Sequence, residues 1–139
     1  MTTQAPLICG VPAARIAAFA AQERATYAAA RPVTRAALSK GARNFWGGVP
    51  LHWMKDWPQP FPMVVAEAQG ATIIDVDGHC LDDFCLGDTG SMFGHSPEPV
   101  ARAIVAQATQ GLTYMLPTEA ALEVGHLLSA VFGPMLWQI

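Results

Sequence analysis

The chain has 139 residues and carries 8 Lys+Arg against 11 Asp+Glu, a formal net charge of −3. That length suits one domain, and 52% hydrophobic against 14% charged residues excludes a disordered chain. The acidic balance argues against a general nucleic-acid binder, which needs a basic face.

The charge is segregated. Residues 1–55 hold seven of the eight basic groups and a single acid, Glu23, whereas residues 56–139 hold ten acids and only Arg102. The two halves are complementary in sign, so packing one on the other needs no external anion. Alanine accounts for 24 residues, so the core is poorer in bulk than the apolar fraction suggests. No apolar run approaches the ~18 residues of a membrane span. Three cysteines (Cys9, Cys80, Cys85) at no recognisable spacing do not make a disulfide framework and point to a reducing compartment. The Arg- and Ala-rich, acid-poor N-terminus has the composition of a transit peptide but equally that of an ordinary helix. A cytoplasmic location is the expectation.

Residues 13–30 read as a helix, with Ile16, Phe19, Glu23 and Tyr27 at spacings of three and four and Pro32 as its stop. A shorter helix is predicted from Thr34 to Ala42, closing near Gly41. Residues 1–42 thus form a helical arm. Residues 43–62 hold Trp46, Trp53, Trp57 and four prolines, an irregular aromatic loop that either packs as structure or lines a pocket.

Residues 63–86 predict an antiparallel meander. Its strands are Met63–Gln69, Thr72–Val76 and His79–Cys85, turning at Gly70-Ala71 and at the Asp77-Gly78 hairpin pair. Residues 87–139 open with a glycine-rich loop (Gly87, Gly90, Gly94). Ser96 is then read as the N-cap of a helix with Pro97 at N1 and the stripe Val100, Ile104, Ala108. Thr118 is read as the cap of a further helix that turns Leu122, Leu127, Leu128 and Val131 inward and ends near Gly133-Pro134. The fold class is α+β.

Parts of this pattern resemble known catalytic and binding motifs. Asp75-Val76-Asp77-Gly78 after an apolar strand resembles the nucleophile loop of haloacid-dehalogenase-like phosphatases, with Asp75 attacking and Asp77 as acid/base. His79 stands where that motif wants Thr or Ser, and no lysine follows it. An EF-hand needs its glycine at position six, whereas Gly78 is fourth from Asp75. His79, Cys80, Cys85 and His95 have no zinc spacing, so no metal is expected. Gly87-Asp88-Thr89-Gly90 before a helix could cradle a phosphate, but lacks the preceding parallel strand of a dinucleotide site.

In order, Arg43-Asn44-Phe45-Trp46-Gly47-Gly48-Val49-Pro50, Ala68-Gln69-Gly70-Ala71 through Asp75-Val76-Asp77-Gly78 to Phe84, Gly94-His95-Ser96-Pro97, Gln107–Gly111 and Thr118-Glu119 form a specific set. Together they resemble the N-terminal region of class III pyridoxal-phosphate (PLP) aminotransferases, in the branch near glutamate-1-semialdehyde aminomutase and the β-amino-acid aminotransferases. The resemblance runs from about Ala13 to Ile139. It implies a small-domain segment of a fold-type I, α/β parent enzyme, with two long helices leading toward a large domain.

The family exchanges amino groups between an amino acid and a keto acid or aldehyde and forms homodimers. By resemblance, Val49–Trp53 borders the substrate pocket, with His52 and Trp53 as substrate-side residues. Gly111–Thr118 lies near the dimer interface, with Tyr114, Met115 and Thr118 there. Several relatives clamp a substrate carboxylate with an arginine where this chain has His52-Trp53; the nearest arginine, Arg43, reads as a surface or interdomain residue. The cofactor-phosphate loop, the acid facing the pyridinium and the Schiff-base lysine have no counterpart, since Lys40 and Lys55 stand in other contexts. These 139 residues are therefore expected to be inactive alone and not to bind PLP. The alternative is a non-catalytic fragment that docks on a full-length aminotransferase, and a third reading is the phosphatase at Asp75 and Asp77.

Overall fold

The computed structural model describes residues 7–138 and divides into two bodies, the first ending at Ser96 and the second starting at Pro97.

The first body opens with a hairpin of two-residue strands, β1 (Leu7–Ile8) and β2 (Val11–Pro12). Its turn residues Cys9 and Gly10 both have positive φ, as a type I′ turn requires. Helix α1 (Ala13–Ala30) follows, then α2 (Pro32–Gly41). Pro32 cannot continue α1 and its ring keeps Arg31 out of the helical region (φ −126°, ψ 60°), so the chain breaks at Arg31 and restarts with proline in the first turn. The aromatic stretch is more regular than predicted, with single 3-10 turns at Trp46–Gly48 and His52–Lys55.

The meander forms as β3 (Val65–Gln69), β4 (Thr72–Asp75) and β5 (Cys80–Asp82), antiparallel in the order β3-β4-β5. Pairing Gln69 with Thr72 and Ile74 with Cys80 sets the register, and a bulge falls between Val65 and Glu67. The third strand is shorter than predicted: the Asp83 amide still donates to the Ala71 carbonyl, but its side chain accepts from the Cys85 and Leu86 amides and turns the chain there. The second turn also differs from the two-residue hairpin expected of Asp77-Gly78. The Asp75 amide donates to the His79 carbonyl and the Gly78 amide to the Asp75 carbonyl, enclosing a three-residue loop. Gly78, at φ +89°, supplies the left-handed position that ends such a loop.

This body has little apolar core. Val49 is the buried hydrophobic residue of the described chain, while the fully buried side chains are Thr34 and Asp75. Helix α1 buries no residue, because its alanines bring little apolar surface to bury.

The second body holds α3 (Glu98–Gln107) and α4 (Glu119–Phe132). Thr118 caps α4 as predicted, its hydroxyl accepting from the Ala121 amide at 3.2 Å, and Gly133 closes it. Ser96 does not cap α3. It sits at φ +49°, and the extended conformation required of a cap falls to Pro97. The α4 stripe is not turned inward either: Leu122, Leu127 and Val131 are exposed and Leu128 half-buried. Periodicity identified the stripe, but nothing in the second body covers it.

Candidate functional site

Two polar nodes hold the first body in shape. At the first, the buried Asp75 carboxylate accepts from Arg31 Nε at 2.9 Å, from the His79 amide at 2.9 Å and from the Asp77 amide at 3.0 Å. The His79 ring lies on the same carboxylate, Nδ1 at 2.9 and 3.0 Å from its oxygens. Burial pushes the Asp75 carboxyl up, but the His79 amide and ring, with the Arg31 guanidinium, bring it below the usual carboxylate range. The Arg31 guanidinium also stacks 4.2 Å from the Tyr27 ring centroid, so one face packs on the ring while its Nε edge binds the carboxylate.

Asp77 completes this node from the loop tip. Its two oxygens accept from the Val33 and Thr34 amides at 2.7 and 2.9 Å, so a residue more than forty positions away caps α2. Burial raises the Asp77 carboxyl, and hydrogen bonds from Thr34 and Val33 outweigh it, leaving it lowered. The hairpin thus fixes where α2 begins.

The second node joins Asp83 to His95, Nε2 to carboxylate oxygen at 2.7 Å. That bond, with those from the Leu86 and Cys85 amides, lowers the Asp83 carboxyl. The backbones of His95 and Gly70 exchange two hydrogen bonds at 2.7 and 2.9 Å, which brings Gly94 against Gly70. The His95 ring therefore bonds a carboxylate while its backbone joins Gly70.

These carboxylates are structural. A phosphatase nucleophile must reach substrate, yet Asp75 is 1% exposed with both oxygens engaged, and Asp77 is spent on a helix terminus. The structure removes that reading.

Between α2, the two 3-10 turns and the entry to β3 lies a cavity of about 590 Å³. Phe45, Val49, Trp53, Met54, Trp57 and Met63 form most of its wall, and Gln59 is its one polar side chain. Volume and lining fall within the range of small-molecule sites. Trp53 lines this cavity; His52, on the same turn, is exposed and does not. Arg43 is exposed and lies outside the lining.

Of the residues assigned to an interface, Met115 is fully exposed and Thr118 is the α4 cap. The Tyr114 hydroxyl donates to the carbonyls of Gln110 and Gly111. Reading single residues missed Trp57, Phe45 and Met63 as neighbours of Trp53, although the density of aromatics and prolines marked the segment.

These residues do not fit PLP by themselves. The chain's two lysines, Lys40 on α2 and Lys55 on the second 3-10 turn, are absent from the cavity wall, which carries no charged side chain. Lys55 instead lies across Gly47, where a Cβ would come 2.7 Å from its Nζ.

No protein-family model matches the chain. It is 37% identical over 93 residues to the glutamate-1-semialdehyde 2,1-aminomutase of Thermoplasma acidophilum, an alignment covering 66% of this chain and 21% of the relative. The solved glutamate-1-semialdehyde-aminomutase of Pseudomonas aeruginosa PAO1 superimposes with TM-score 0.79 at 44% identity, covering 86% of this chain and 26% of that one. A second structure of that protein, in complex with PMP, gives TM-score 0.80 at the same identity and coverage. An ω-transaminase from Sphaerobacter thermophilus matches at TM-score 0.62 and 25% identity, over 72% of this chain and 23% of its own. The chain spans about a fifth of the length of the curated relatives it matches. Over most of its length the chain is similar to a segment of these PLP-dependent aminomutases and transaminases, in sequence and in fold.

Proposed function

We propose that these residues form the substrate-side segment of a class III aminotransferase, a cytoplasmic homodimer that moves an amino group between an amino acid and a keto acid or aldehyde. The observation that carries this reading is the cavity walled by Trp53 and its neighbours, held in place by α2 and the meander. PLP belongs to the assembled fold, where it supplies the electron sink for amine chemistry. The residues present shape the substrate side; the Schiff-base lysine comes from elsewhere in the fold. The 139 residues alone have no transaminase activity. His52 and Trp53 border the substrate, and Tyr114, Met115 and Thr118 stand near the dimer interface. Three exposed, unpaired cysteines support a reducing compartment.

The test is a chimera in which these residues replace the matching segment of the P. aeruginosa aminomutase. PLP-dependent amine exchange by the chimera supports the reading; a folded, PLP-loaded chimera that exchanges no amine refutes it. The exposed apolar residues of α4 favour a second reading, docking on a longer member of the family. Co-purification with such a protein and a change in its activity would support that; independent migration would refute it.

A further inference from the structure

Helix α2 carries no cap of its own, since Arg31 before it gives its amides no side-chain hydrogen bond. The first-turn donors are nonetheless all satisfied. Pro32 has none, Val33 and Thr34 donate to the two Asp77 oxygens at 2.7 and 2.9 Å, and the Arg35 amide donates to the Arg31 carbonyl at 3.2 Å. Without Asp77 two amides lose their acceptor, one of them on the fully buried Thr34. Asp77 is itself held, its amide donating to Asp75, which grips Arg31 just ahead of α2.

The other end of the same helix meets the cavity. Ala37, Leu38 and Gly41 line it. At 1.5 Å per residue, Gly41 lies about 10 Å along the axis from Thr34. The Gly41 carbonyl accepts from the Asn44 and Phe45 amides at 3.0 and 3.2 Å, which ties Phe45, another wall residue, to the end of α2. A Cβ on Gly41 would come 3.3 Å from the Gly48 carbonyl oxygen, so the helix rests directly on the first 3-10 turn. A ten-residue helix moves as one rod, and a shift at its first turn reaches this wall.

We propose that Asp77, on the loop between β4 and β5, is a positioning residue for the cavity. By anchoring the first turn of α2 it sets how far Ala37, Leu38 and Gly41 stand from Trp53 and Trp57, and so how tightly a substrate group is held. The part played by substrate rests on the reading of the cavity as substrate-side. Asp77 acts through α2 and touches no substrate.

Heteronuclear NMR of the indole N–H groups tests the geometry without any chemistry. Trp53 and Trp57 line the cavity, whereas Trp137 belongs to the second body. Asp77→Asn keeps one acceptor oxygen for two amides, and Asp77→Ala keeps none. Both variants should move the Trp53 and Trp57 signals, the alanine variant further, and leave Trp137 in place. Asp83→Asn controls for general loosening, because its bonds go to Cys85, Leu86 and His95, and it should leave Trp53 and Trp57 unmoved. If Asp77→Ala does not fold, Asp77→Asn decides. Unmoved Trp53 and Trp57 signals in a folded Asp77 variant, or equal movement in Asp83→Asn, would overturn the proposal. In the P. aeruginosa chimera, Asp77→Asn should raise KM for the amine roughly three- to ten-fold with kcat nearly unchanged, the pattern of weakened substrate binding. A fall in kcat with KM unchanged would contradict the positioning role. An inactive chimera counts against the family reading alone, and the indole signals still decide the role of Asp77.

Discussion

Asp75→Asn strikes the node on which the first body depends. The substitution keeps shape and one acceptor oxygen but removes the charge, and its amide hydrogens face the N–H of Arg31. Arg31 is itself 8% exposed and has no second carboxylate. Breaking a buried pair by removing one partner costs about 3–5 kcal/mol. The Tyr27 ring beneath Arg31 retains part of the cation's stabilisation, so the lower end of that range applies. Against a total of about 5–15 kcal/mol for a small domain, a loss of ~3 kcal/mol removes much of the margin. With a urea dependence near ~1.5 kcal/mol/M, the midpoint should fall by about 2 M. Urea denaturation followed by far-UV circular dichroism measures it. The double variant Arg31→Met/Asp75→Leu should lose less than the sum of its single variants, by about 1 kcal/mol or more. A midpoint for Asp75→Asn within error of the wild type would refute the claim that this ion pair organises the fold.

Three further outcomes follow from the same geometry. The Asp75, Asp77 and Asp83 carboxyls are all lowered, so their stabilisation is complete above the unfolded carboxyl value of about 3.9 and is lost as pH falls through the lower folded values. Acid titration should show stability declining below about pH 4; stability flat through that range would contradict the assignment. Gly94→Ala places a Cβ 3.1 Å from the Gly70 backbone at φ +88°, and should cost about 1–3 kcal/mol in denaturation experiments. Thr118→Ala should destabilise α4 by about 1 kcal/mol and reduce helical ellipticity, while Ser96→Ala, which removes no cap, should leave α3 unchanged.

Local signals were legible in the sequence and long-range ones were not. Helix α1 matches its predicted limits because alanine runs and Pro32 act within one helical turn. The same holds for Thr118 and for the meander, set by alternation and turn residues. Asp-Gly marked the right place but the wrong turn. The turn is decided by Asp75, which accepts from two amides in the loop while pairing with Arg31, 44 residues earlier. No spacing rule connects those positions. The cap of α2 was hidden likewise, because Asp77 supplies it from another element. Ser96 failed as a cap because its backbone is left-handed, which the sequence before Pro97 does not announce. The aromatic loop advertised a pocket or packing, and only the three-dimensional arrangement brings Trp53 beside Trp57 and Met63.

The most direct test of the account is an absorbance titration of the purified chain with PLP, followed by borohydride reduction and peptide mapping. Without a lysine in the cavity wall, no saturable Schiff-base band forms, and neither Lys40 nor Lys55 carries a stoichiometric label. One saturable label on either lysine would contradict it, because the chain would then hold a cofactor site of its own.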